Sequence, residues 1–189
     1  MKKVTFLLAA ILVFGVSNIV KAQDTEAAEH IVGFTVPNFA ILDIESTGSS
    51  NNITLVLTEA ELEAGNEFNF AAASDNSLWL NYTALAEKNK TRTVTVQIDE
   101  PISGIDLKLQ VAAYSGKEGE GKGELGAPTN TGAVVLSQAA QTIINGIGSC
   151  YTGNESGNGH NLTYTMAAND YSMIEAGKKE VTVTYTITE

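Results

Sequence analysis

The run Val181-Thr182-Val183-Thr184-Tyr185-Thr186-Ile187-Thr188 places an apolar side chain at every second position and threonine between them. Only an extended chain sends such a pattern to two opposite faces, and β-branched residues favour that conformation. The turn Glu175-Ala176-Gly177-Lys178 precedes it. The same period recurs in Arg92–Ile98, where Val94, Val96 and Ile98 alternate with Thr93, Thr95 and Gln97, and in Ile105–Val111, where Asp106, Lys108 and Gln110 separate the apolar positions. These two runs, joined through Asp99-Glu100-Pro101 and Gly104, predict an antiparallel hairpin.

Further strands are expected at Ser77–Thr83, at Ile53–Leu57, at Val134–Leu136, at Thr142–Ile144 and around Leu162, Tyr164 and Met166. In Ser77–Thr83 the buried set is Leu78, Leu80 and Tyr82, or in the opposite register Trp79, and both remain open. An edge strand interrupted by Pro37 is expected from Ile31 to Ile44. The stretch Thr58–Ala64, stopped by Gly65, suits a helical turn or two and is too short to form a layer. Two glycine-rich segments, Ser115–Gly132 and Gly146–Gly159, read as long loops. Eight or nine short strands without an amphipathic helix predict an all-β fold, an antiparallel β-sandwich of Ig-like or pilin-like kind, with an up-and-down barrel as the competing closure.

The chain starts Met1-Lys2-Lys3, continues with an apolar run from Val4 to Val16 and reaches Val20-Lys21-Ala22. A basic start, a short apolar centre and a small-residue ending predict a secretory signal peptide over residues 1–22. A single β-sandwich domain is then expected over 23–189, in a protein secreted to the periplasm, the cell surface or the medium, with no integral membrane span in the mature chain. The signal holds three of the eleven Lys and Arg and none of the 22 acids, so the mature net charge is −14. That balance opposes binding to nucleic acid.

The single Cys150 cannot close an internal disulfide. Its neighbours Gly148, Ser149, Tyr151 and Gly153 include no base to activate it. His30 and His160 are the only imidazoles, both in polar stretches, and Ser156 lies in no strand-to-helix elbow, so no catalytic residue is assigned. Neither a metal ligand set nor a cofactor is expected. Asp43 with Glu45, Asp99 and Glu100 with Asp106, and Glu118, Glu120 and Glu124 read as solvated carboxylates that reproduce no calcium loop. Trp79, Tyr82, Tyr114 and Tyr151 would line a glycan-binding face wherever they are exposed.

The segment Val36-Pro37-Asn38-Phe39, a middle strand pair and the ending Ala176-Gly177 followed by Val181–Thr188 together resemble bacterial surface β-sandwiches, the spore-coat-U-like pilins and the WxL-type cell-wall-binding proteins. Trp79-Leu80-Asn81 does not satisfy W-x-L, and the paired cysteines of such pilins are missing. The resemblance implies assembly or attachment at the cell exterior without turnover chemistry, and strand donation between subunits. The donor would be Ile31, Val32, Phe34 and Val36. The chain is thus expected to be an exported structural or adhesive subunit that self-associates or binds another surface protein. A secreted glycan- or calcium-binding module and a secreted carboxylate-dependent hydrolase are the alternatives.

Overall fold

The computed structural model describes residues 27, 29–58, 62–117 and 120–189. The expected signal peptide, its cleavage point and Glu118 lie outside the described residues. Residues through Thr35 form one unit, and Val36–Glu189 forms the other, which carries the fold. Its strands are β1 (Phe39–Ser46), β2 (Ser74–Leu85), β3 (Arg92–Ile98), β4 (Ile105–Val111), β5 (Lys122–Pro128), β6 (Val134–Val135), β7 (Gln141–Tyr151), β8 (His160–Ala168) and β9 (Val183–Thr188). Single 3₁₀ turns at Phe70–Ala72 and Tyr171–Met173 are the only helical pieces among the described residues. All pairings are antiparallel, and they join the nine strands into one sheet. The fold is all-β.

The registers show how that sheet is built. β2 and β3 both run antiparallel to β7, with Thr83 opposite Tyr151 and Val96 opposite Gln141, so they follow one another along a single row. β7 and β8 likewise succeed each other beside β2, and β4 and β5 succeed each other beside β8 and β7. On the far side of the β2–β3 row, β9 ends with Thr188 opposite Thr93 and β1 begins with Phe39 opposite Leu85. Four long rows are therefore interrupted at one common level, by residues 86–91, 112–121, 152–159 and the point where Glu189 meets Asn38. Arg92 clamps that last point: its guanidinium donates to Asn38 Oδ1 and lies 3.6 Å from Glu189, while Asn38 Nδ2 donates to Glu189 Oε1 at 2.9 Å.

The halves on either side of this level face each other. Tyr164 of β8 and Tyr185 of β9, far apart in an unrolled sheet, join hydroxyls at 2.5 Å, and Ile98 N–H donates to Ser137 O beyond β6. Between the halves lies one apolar cluster, with Leu80, Val94, Val96, Leu109, Ile144, Ile147 and Leu162 fully buried. The two halves of the one sheet thus pack face to face over a shared core, as the layers of a sandwich do. The strand path ends at β6 and β9 and does not return on itself, so the barrel alternative is set aside.

Several expectations need correction. The segment before Pro37 joins no strand: β1 starts at Phe39, where each residue finds a partner on β2. Ile53–Leu57 is not a strand, although Ile53 and Leu55 pack against the core. In Thr58–Ala64, residues 59–61 lie outside the described set and the rest is not helical. β3 and β4 do not form the expected hairpin: β3 lies between β7 and β9, β4 between β8 and β6. The expected loop Ser115–Gly132 contains β5, and Gly146–Tyr151 completes β7. Glycine makes this pairing sterically feasible. Gly123 adopts φ 92°, and a Cβ there would lie 2.1 Å from Ser149 O, at the register shift between β5 and β7. The register left open for β2 places Leu78, Leu80 and Tyr82 in the core and Trp79 outward, opposite Glu45 and Asn161.

Candidate functional site

The four residues singled out for strand exchange are all exposed, and Ile31, Phe34 and Val32 are the three most exposed large apolar residues among those described. Ile31 is 97% exposed, Phe34 88%, Val32 72% and Val36 60%. Their backbones enter none of the described ladders. In a strand, Val32, Phe34 and Val36 would share one face by the period-two rule, with Gly33 and Thr35 on the other. Ile31, Val32 and Phe34 belong to the first unit and Val36 to the second. The second unit is tied down from Asn38 onward by the Asn38–Arg92–Glu189 cluster described above.

Among the described residues the sheet also has open edges: β9 pairs only with β3, β1 only with β2, β5 only with β7 and β6 only with β4. The regular strand β9, whose place inside or at the edge the sequence leaves undecided, is an edge strand. It carries no charge or proline between Val183 and Thr188, the devices that ordinarily blunt an edge. Its core-facing Val183, Tyr185 and Ile187 are only half-buried. Burial by Tyr164 and its surroundings pushes the Tyr185 hydroxyl well above its ordinary pKa, and burial raises Tyr164 to about 12. Both stay protonated across the physiological range, so each can donate.

His160 is not in a polar loop but in the core, fully buried on β8. Its Nδ1 lies 2.9 Å from Ala112 O, which can only accept, so Nδ1 carries the proton and Nε2 presents a lone pair. The Tyr82 hydroxyl sits 2.8 Å from Nε2, also contacts Leu125 O, and its ring stacks on the imidazole at 5.7 Å. Desolvation lowers the His160 pKa, and burial raises that of Tyr82. The pair sits where the sheet turns over, with His160 fully buried. The sequence places His160 in a polar stretch, and its burial is not legible there because Tyr82, Ala112 and Leu125 come from distant parts of the chain.

Ser156 lies in the 152–159 insertion, which Lys117 anchors through an N–H bond to Asn158 Oδ1 and an exposed ion pair to Glu155. Cys150 is buried in β7, and desolvation raises its thiol to about 11. His30 is exposed. Asp43 caps the N–H of Ile44, Asp99 those of Glu100 and Thr182, and Asp106 accepts from Asn169 Nδ2. Among the described residues no group of three or more His, Cys, Asp or Glu is placed to hold a metal ion. Of the four aromatics named for a glycan face, Tyr82 is core, Trp79 and Tyr114 are half-buried and Tyr151 is exposed. No helix among the described residues is long and apolar enough to cross a membrane. No family model, curated protein or solved structure matches the chain.

Proposed function

We propose that this chain is an exported structural or adhesive subunit whose segment Ile31–Val36 adds as a strand to the sheet of another copy. One observation carries the reading: an alternating apolar segment that the domain does not use as its own first strand, with Phe34 88% and Ile31 97% exposed. Strand addition would satisfy the unpaired backbone groups of both partners and bury Val32, Phe34 and Val36 together. Burying each such side chain stabilises by about 1.5–3 kcal/mol, whereas ordering each residue of the segment costs about 1–2 kcal/mol. The two nearly cancel, so assembly depends on protein concentration. The mature charge of −14 keeps subunits apart until that pairing forms. The resemblance to pilin-like surface proteins and the expected signal peptide support work outside the cytoplasm.

Sedimentation of the chain from Gln23, and of the same chain starting at Pro37, tests this. The longer chain grows in mass with concentration and the shorter stays a monomer. A longer chain that remains a sharp monomer at every concentration overturns the proposal.

A further inference from the structure

On the outer face of the sheet, away from the core, an open groove of about 630 Å³ lies where the rows are interrupted. We infer that this groove binds a neutral saccharide, a role separate from strand exchange and independent of it. The volume falls within the range of small-ligand sites. A cavity of about 10 Å³ near Leu109 and Ile143 has room for a water at most.

The floor follows from register. Ile41 is opposite Thr83, and Thr83 is opposite Tyr151, so the three side chains stand side by side across β1, β2 and β7. Ile41 is 63% exposed and Tyr151 40%, although both belong to regular strands. Two residues along, Asp43 is opposite Asn81 on the same face. The 152–159 insertion rises beside them with Gly153 and Asn154, and Glu120 closes the rim. Asn81 is 97% buried under this wall. Its Nδ2 donates to Glu155 O at 3.2 Å, which ties the insertion to the floor, while its Oδ1 is shut off from the groove against the Gly159 backbone.

The arrangement matches one ligand chemistry. A flat strip with a tyrosine ring receives the C–H face of a pyranose, while carboxylate and amide groups at its margins accept and donate to hydroxyls. Asp43 and Glu120, in a chain of net negative charge, repel acidic sugars and phosphates. A bare cation finds no third carboxylate or imidazole here among the described residues. A cationic peptide would use the acids and leave the Ile41–Thr83–Tyr151 strip without a function.

Saturation-transfer NMR on the full chain tests this with neutral hexasaccharides of β-glucan, chitin, xylan and α-mannan type, and with hexalysine as the competing class. The ligands are held at about 10 mM, where a site with a Kd of 1 mM is nearly full. At least one saccharide gives transfer, Tyr151→Ala raises its Kd by about tenfold or more, so that transfer falls to about half or less, and Asp43→Asn weakens it while leaving the melting temperature intact. Val135→Ala, on the distant β6 edge, leaves transfer unchanged. Absence of transfer from every saccharide, transfer that ignores both groove substitutions, or a Tyr151-dependent response to hexalysine alone each overturns the inference. None of these outcomes bears on self-association, which sedimentation reads separately.

Discussion

The segment Val32–Val36 and the strand β3 carry the same pattern, apolar at every second residue with glycine, threonine or glutamine between, and meet opposite fates. In β3, Val94 and Val96 are fully buried and Ile98 nearly so, because β7 and β9 flank the strand and the opposite layer covers it. In the arm, Val32, Phe34 and Val36 are 60% exposed or more. Alternation specifies which side chains share a face. It does not say that the same molecule supplies the cover, and a strand pattern left uncovered points to a partner.

Substitutions that empty the covered face should have the largest effect. Leu80→Ala or Ile144→Ala removes a fully buried side chain and should cost about 2–5 kcal/mol in denaturant unfolding. Phe34→Ala should leave the monomer's unfolding midpoint unchanged and reduce self-association instead. Equal losses of stability from Phe34→Ala and Leu80→Ala would erase the contrast. Gly159→Ala should rank next: φ is 89° and the new Cβ would lie 2.3 Å from Leu80 O, a strain of about 1–3 kcal/mol before any repacking.

The buried His160 sharpens the comparison through pH. Burial lowers its pKa in the folded state, so the unfolded chain takes up the proton first as pH falls through about 6.5. Stability should be complete above that pH and decline below it, by up to about 1.4 kcal/mol per pH unit until the folded-state pKa is reached. Denaturant titrations from pH 8 to pH 5 should show this slope, and His160→Gln, though less stable throughout, should flatten it. The smallest effect belongs to the solvent-exposed pair Lys117–Glu155: Lys117→Ala should leave the midpoint unchanged at moderate salt.

Legibility in the sequence followed the same division. β3, β4, β8 and β9 were readable because one face is covered and the other wet, which writes the alternation into the residues themselves. β5 was hidden in Lys122-Gly123-Glu124-Leu125-Gly126-Ala127-Pro128, since its strand form comes from β7 beside it and from glycine in left-handed conformations. The hairpin expected between β3 and β4 failed because both strands are claimed by partners far along the chain. Within the candidate site, the alternation of Val32, Phe34 and Val36 could be read, but not that these residues stay exposed. The groove could not, since Ile41, Thr83 and Tyr151 become neighbours only through the registers of three strands.

Amide hydrogen exchange of Ile31–Val36, followed in dilute and in concentrated protein with β2 as the internal standard, bears most directly on the arm as an intermolecular strand. The account predicts exchange at the rate of an open chain on dilution and slowing toward strand-like protection as concentration rises, while β2 stays protected throughout. Strong protection of the segment already in dilute monomer would mean that it is the domain's own strand, and free exchange at every concentration would mean that it pairs with no copy of itself; either result contradicts the account.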